Sequence, residues 1–224
     1  QQQLISQLET EKHLTATESV IKGEEQERTR LAKDLHDGLG GMLSGIKYSL
    51  GNMKNNLVMT PENAMDFERS IDMLNSSIKE MRRVAHNMMP EALVRFGLDT
   101  ALRDFCSDIN QTGGMKITYQ SYGLGQTVIE QSKSITIYRI VQELVNNALK
   151  HSGGHEMLVQ LSLADEKLSI TVEDDGKGFD VAGLENAKGI GWSNIKNRVE
   201  FLKGNLDIHS SENNGTSVLI EFLI

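Results

Sequence analysis

From Leu31 onward, apolar residues recur three and four positions apart: Leu31, Leu35, Leu39, Leu43, Ile46, Leu50, Met53 and Leu57. That periodicity predicts one face of a long helix. Thr60-Pro61-Glu62 then supplies a capping residue, a proline at the first helical position and an acidic first turn, which together open a second helix. Its apolar face is Phe67, Ile71, Leu74, Ile78, Met81, Val84 or Ala85, and Met88, and Pro90 is expected to stop it. Two such helices joined by a short turn make an antiparallel hairpin, and a hairpin cannot enclose a core by itself. Pairing two copies into a dimeric four-helix bundle solves this. The alternative is a hairpin that packs only on the rest of its own chain. Residues 1–23 are polar and helix-compatible, with weak apolar spacing at Leu4, Leu8, Leu14, Val20 and Ile21. They read as a helical lead-in or linker that Gly23 interrupts.

Beyond Pro90 the pattern changes. Leu93, Leu98, Leu102, Phe105 and Ile109 predict a helix with a turn at Phe96-Gly97, ended by Gly113-Gly114. Met115–Ser121 alternates like a strand, Ser132–His151 is helical, and Met157–Leu163 and Leu168–Val172 alternate again. A helix over Trp192–Leu202 and strands at 205–210 and 216–223 close the chain. Residues 91–224 therefore predict helices layered on a mostly antiparallel sheet, an α+β sandwich. The expected division is 1–23 as lead-in, 24–92 as the helical domain and 93–224 as the sandwich.

Composition removes several function classes. Lys and Arg number 23 against 31 Asp and Glu, so the net charge is 23 − 31 = −8. That argues against a direct nucleic-acid surface. A single cysteine, Cys106, excludes an intrachain disulfide framework, and no Cys/His cluster suggests zinc. No apolar run approaches the ~18–20 residues that span a membrane. The first residue is Gln1 rather than Met, so the sequence reads as part of a longer protein, whose upstream sensor or membrane region would lie outside it.

Four short motifs carry chemistry. Glu143, Asn147, Lys150 and His151 fall at i, i+4, i+7 and i+8 and share a polar helix face. A carboxylate, an amide, an ammonium and an imidazole suit Mg²⁺ and phosphate oxygens; a solvated face is the plainer alternative. Glu173-Asp174-Asp175-Gly176-Lys177-Gly178 ends an apolar strand in a Gly-x-Gly turn, where a carboxylate can accept from an exocyclic amine. A hairpin turn would use the same residues. Gly189-Ile190-Gly191 opens a helix, as in phosphate seats and in simple flexible loops. Gly215-Thr216 precedes the last strand. Upstream, Leu35-His36-Asp37 places an imidazole mid-helix with a carboxylate beside it.

In this order and at these separations the set resembles the ATP-binding domain shared by sensor histidine kinases with gyrase, Hsp90 and MutL. Glu143-x-x-x-Asn147 is similar to the N box, whose asparagine holds Mg²⁺. Asp174-x-Gly176-x-Gly178 is similar to the G1 box, whose aspartate meets the adenine amine. Gly189-x-Gly191 resembles the G2 box at the end of a lid, and Gly215-Thr216 the terminal Gly-Thr element. Glu27-Arg28-x-Arg30-Leu31-Ala32-x-Asp34-Leu35-His36-Asp37 resembles the phosphoacceptor helix of the subfamily whose regulators carry NarL/LuxR-type helix-turn-helix output domains. Met89-Pro90-x-x-Leu93-x-x-x-Gly97-Leu98 resembles that subfamily's domain junction.

The resemblance implies a homodimeric sensor histidine kinase, acting through residues 24–92 and using ATP and Mg²⁺. His36 would be the phosphoacceptor and Asp37 its general base or orienter. Glu143, Asn147, Lys150, His151, Asp174, Gly176, Gly178, Gly189, Gly191 and Thr216 would bind ATP, with Asn147 on Mg²⁺ and Glu143 reaching it through a water. The partner would be a response regulator's receiver domain, and the location cytoplasmic. Two positions depart from the pattern. Gly41 stands where the subfamily often has a phosphatase glutamine, which calls that route into question, and Trp192 replaces a leucine after the second G2 glycine. Two rival readings share the fold: a serine kinase acting on a protein partner, and a non-catalytic dimeric scaffold that binds nucleotide.

Overall fold

The structure, a computed structural model, describes every residue except 1, 57–58, 89–90, 126, 128 and 182–189. The side chains of some helical residues, His36 and His86 among them, also fall outside that description. The chain divides into two compact units: Val20–Glu91, and Gln1–Ser19 together with Ala92–Ile224.

The helix predicted around His36 is continuous but not uniform. The helix α1, Gln2–Lys33, runs through Gly23 without a break, so the expected interruption there does not occur. A single glycine costs a helix about 1 kcal/mol, and helix-favouring neighbours on both sides absorb that. A π-helical turn comes next at Asp34–Leu39, and then α2, Gly40–Asn56. His36 and Asp37 lie within the π turn. An extra residue in one turn rotates the rest of the helix by about 100°. The regular stripe is accordingly split: Leu31, Leu35, Leu43 and Leu50 are half-buried, whereas Leu39, Ile46 and Met53 are exposed. Leu57 and Pro90 lie outside the described residues.

The helix α3, Pro61–Met88, begins at the expected proline, and the Thr60 hydroxyl accepts from the Asn63 N–H. Lys54 near the end of α2 pairs with Glu68 near the start of α3, so the two helices run antiparallel. Their contact leaves Met42, Ile46, Met65 and Met73 exposed.

In the second unit, α4 (Glu91–Thr112) bends at Gly97, whose φ of 83° is the turn expected at Phe96-Gly97. The strand β1 (Lys116–Tyr122) follows, then α5 (Gln131–His151), β2 (Glu156–Ala164), β3 (Lys167–Asp174), α6 (Ile190–Phe201), β4 (Asn205–Ser210) and β5 (Thr216–Leu223). The five strands form one sheet in the order β1-β2-β3-β5-β4. Only β1 and β2 are parallel, and the crossover they require is α5.

The sheet buries one face. Met157, Val159 and Leu161 of β2, Leu168, Ile170 and Val172 of β3, and Val218, Ile220 and Phe222 of β5 alternate inward. Register stacks them: Val159 opposes Val172, which opposes Val218. Leu102 and Phe105 of α4, Ile137, Val141 and Leu144 of α5, and Ile195 and Val199 of α6 belong to the same core. Two contacts tie α4 to β1. The Asn110 side-chain amide donates to the Ile117 carbonyl and accepts from its N–H. The Tyr119 hydroxyl donates to Asp99 at 2.8 Å, and Arg103 pairs with the same carboxylate at 3.1 Å. Burial opposes ionisation of Asp99, yet hydrogen bonds from Ser121, Tyr119 and Arg103 outweigh it and leave its pKa lowered. Cys106 is a buried free thiol whose pKa burial raises to about 12, so it acts as a small core hydrophobe.

Tyr138 is fully buried and meets Phe105 edge-on at 5.7 Å, but its hydroxyl has no hydrogen-bond partner among the described residues. Tyr138→Phe is expected to leave stability unchanged or to raise it by about 1 kcal/mol, since it removes an unpaired buried polar group. Tyr138→Ala should lower stability by about 3–5 kcal/mol. Urea unfolding of the two variants beside the parent checks both values.

Candidate functional site

The helix α5 divides its faces sharply. Ile137, Ile140, Val141, Leu144, Val145 and Ala148 are buried, while Glu143 and Asn147 are half-buried and His151 is exposed. Glu143, Asn147 and His151 line a cavity of about 430 Å³. Leu144 and Ala148 also line it, so the opening is centred toward their side of the helix. Lys150, about 90° away at 100° per residue, is exposed and not among the lining residues.

Asp174, the last residue of β3, lines the opposite wall. One carboxylate oxygen accepts the Gly176 N–H at 2.9 Å. Burial raises its pKa, with the neighbouring Asp175 charge adding to the shift, while the Gly176 bond lowers it. Asp175 does different work. Its Oδ1 accepts the N–H groups of His155 and Glu156 at 2.7 and 2.9 Å, which secures the start of β2. Those bonds, Glu156 first and His155 next, lower its pKa. The acidic pair thus separates into one cavity carboxylate and one structural carboxylate.

The Gly176–Phe179 loop is fastened from two sides. The Lys177 N–H donates to the Ser152 carbonyl, and the Lys177 carbonyl accepts from the Asn213 N–H. Gly178 has φ +61°, and a Cβ there would run into the Ser211 carbonyl oxygen, so the turn admits only glycine without distortion. Gly178 lines the cavity; Gly176 is buried against Ser152 and Asp174 rather than among the lining residues. Thr216 lines the cavity beside Asp174, its cross-strand partner.

At the far end Gly191 sits in the first turn of α6, where backbone N–H groups lack intrahelical partners. A Cβ on Gly191 would lie 2.5 Å from a Glu143 carboxylate oxygen, so the helix start approaches α5 as closely as glycine allows. Glu143 presents a carboxylate oxygen beside it, and Asn147, one turn on, an amide whose Nδ2 lies 3.6 Å from the same position. Among the described residues no three acidic, His or Cys side chains cluster. The donor set fits a hard cation that keeps most of its water and shares ligand oxygens, as Mg²⁺ does, and not a cation that needs an all-protein cage.

Several lining residues were not singled out from the sequence as ligands. Ser152, Lys177, Phe179 and Trp192 all border the cavity, and the Phe179 and Trp192 rings meet at 6.1 Å and 58°. Val172 and Val218 form an apolar floor continuous with the core. Their inward alternation was readable, but which end of each strand abuts an opening was not. Gly189 lies outside the described residues. Chemically the cavity joins the Asp174 carboxylate, an apolar floor, an aromatic wall and a polar end at a helix N-terminus. That suits a flat heteroaromatic ring carrying an amine and linked to phosphates.

Comparison with known proteins agrees. Residues 27–93 match the family model described as histidine kinase, and residues 132–224 match that described as histidine kinase-, DNA gyrase B-, and HSP90-like ATPase. The sensor histidine kinase MctS of Rhizobium johnstonii is 33% identical over 200 residues, 88% of this chain and 43% of the relative. The signal transduction histidine-protein kinase/phosphatase DegS of Brevibacillus brevis is 27% identical, covering 92% of this chain and 53% of the relative. The oxygen sensor histidine kinase NreB of Staphylococcus carnosus is 27% identical, covering 91% and 58%. The chain spans about half the length of these relatives. Residues 27–93 thus belong to the histidine kinase family and residues 132–224 to the histidine kinase-, DNA gyrase B-, and HSP90-like ATPase family, so the chain carries the two domains of a histidine kinase in succession.

Proposed function

We propose that this chain is the kinase portion of a two-component sensor, which phosphorylates its own His36 from ATP and passes the phosphoryl group to an aspartate of a response regulator. One observation carries the reading: residues from four separated segments, Glu143 and Asn147, Asp174 and Gly178, Gly191, and Thr216, converge on a single cavity. On this reading Asp174 accepts the adenine amine, Val172 and Val218 underlie the ring, and the start of α6 with His151 faces the phosphates. Asn147, and Glu143 through a water, would hold Mg²⁺. A bound magnesium ion supplies positive charge against the phosphate oxygens. Lys150, Gly176 and Gly189 complete the proposed ATP-binding set, Lys150 from outside the cavity wall.

The transfer is an in-line displacement. An imidazole nitrogen of His36 forms a bond to the γ-phosphorus as the bond from phosphorus to the β-phosphate oxygen breaks, and ADP leaves with the electron pair. Asp37 accepts the hydrogen bond of the other ring nitrogen and offsets the positive charge that builds on the ring. The regulator's carboxylate oxygen then attacks the same phosphorus, the phosphorus–nitrogen bond breaks, and neutral imidazole is restored.

Residues 24–92 serve as the dimerisation and phosphotransfer domain, 93–224 as the catalytic domain, and 1–23 as a helical lead-in. Exposed Met42, Ile46, Met65 and Met73 support dimerisation, because an unpartnered apolar face on a hairpin calls for a second copy. The regulator would carry a receiver domain with a helix-turn-helix output. Among the described residues no helix is long and apolar enough to cross a membrane, and the use of ATP implies a cytoplasmic location for this portion.

Incubation with γ-labelled ATP and Mg²⁺ should yield acid-labile, alkali-stable label on the parent chain and none on His36→Ala. Label that survives acid would indicate a serine kinase; absence of turnover despite ADP binding would indicate a scaffold. Asp37→Asn should slow labelling by about 10²–10⁴-fold with unchanged ATP affinity, measured by single-turnover labelling beside equilibrium titration. Asn147→Asp should impair Mg²⁺-dependent labelling; a normal Mg²⁺ titration would remove it from the cation's ligands.

A further inference from the structure

Ser210 was not among the residues expected to matter. It ends β4, where it pairs with Thr216, the first residue of β5; Thr216 in turn pairs with Asp174, the last residue of β3. Directly paired residues project to the same face of a sheet. Ser210, Thr216 and Asp174 therefore make a row across three strands, and the last two line the cavity.

The Ser210 hydroxyl has three partners. It accepts the Phe179 N–H at 2.9 Å, lies 2.9 Å from the Gly215 carbonyl oxygen, and lies 3.1 Å from the Thr216 hydroxyl oxygen. A hydroxyl owns one proton and two lone pairs. The Gly215 carbonyl can only accept, so the Ser210 proton goes there. The contact with Thr216 must then be made by the Thr216 proton. Thr216 has no second proton, so toward the cavity it offers lone pairs only. The adjoining Asp174 carboxylate is an acceptor as well.

We propose that Ser210 is a positioning residue that fixes Thr216 as a hydrogen-bond acceptor toward the ligand, so that this end of the cavity selects a purine with an amino group at position 6 over one with an oxo group. The inference rests on the nucleotide reading above. In Ser210→Ala the Thr216 proton is released and can turn into the cavity, where it can donate to a 6-oxo group. The Phe179 N–H loses its acceptor too, but that affects both ligands and cancels in their ratio.

The test is the affinity of the intact chain for ADP relative to inosine diphosphate, which replaces the 6-amino group with an oxo group and turns N1 into an N–H donor. A parent chain that prefers inosine diphosphate would place Thr216 against N1 rather than position 6 and overturn the proposal. The single tryptophan, Trp192, lies in the cavity wall and reports binding by fluorescence. Ser210→Ala should narrow the preference for ADP by about five- to tenfold, the size of one hydrogen bond, and Ser210→Thr should retain the parent ratio. Thr216→Val settles the polarity even if Ser210→Ala fails to fold. If Thr216 only accepts, the valine variant loses more affinity for ADP than for inosine diphosphate and the ratio narrows. An unchanged ratio in Ser210→Ala, or a wider one in Thr216→Val, overturns the proposal. A parent chain that binds neither ligand would instead overturn the nucleotide reading itself.

Discussion

The pairing of β5 with β3 holds the sheet domain together and makes its cavity. β5 is the last strand in sequence, yet it lies between β3 and β4 and joins them into one sheet. Its inward residues, Val218, Ile220 and Phe222, complete the rows begun by β2 and β3. The same register sets Thr216 against Asp174, with Ser210 on the outer side. A slip of one residue would turn every inward side chain to the other face, so a displaced cavity and an exposed core would appear together. Binding geometry and stability share one constraint here.

The helix α5 couples the two in a second way. Its apolar side is among the most buried surfaces in the chain, and its polar side supplies Glu143, Asn147 and His151 to the cavity. Close packing of the apolar face leaves the helix little freedom to rotate. The polar residues are thereby held by the core rather than by one another. The loop after β3 is fixed by different means: backbone hydrogen bonds to Ser152 and Asn213, and glycine where a side chain would meet the Ser211 carbonyl.

The helical hairpin is held differently. Among the described residues its helices bury few completely, and Met42 and Ile46 of α2 are exposed. The helix containing His36 passes through a π turn rather than a uniform α segment. Such turns widen a helix locally, and they recur at functional sites. His36 and Asp37 both lie within that turn.

Much of this was legible in the sequence. Alternation located β1 to β3, the three-and-four spacing located α2, α3 and α5, and the order of the short motifs led to the histidine kinases, because these signals depend on neighbours along the chain. Local signals also misled where a neighbour's propensity outweighed them: Gly23 does not break α1, and the π turn splits a stripe that looked continuous. The sequence by itself determined the elements, the binary pattern of their faces and the residue types available for chemistry. Tertiary structure alone decided that Asp174 faces the cavity while Asp175 holds β2, that Lys150 stands outside the wall, and that Ser210 orients the hydroxyl of Thr216. Those outcomes depend on strand register and on which side of a helix the core occupies, and both are set by contacts between segments far apart in the chain.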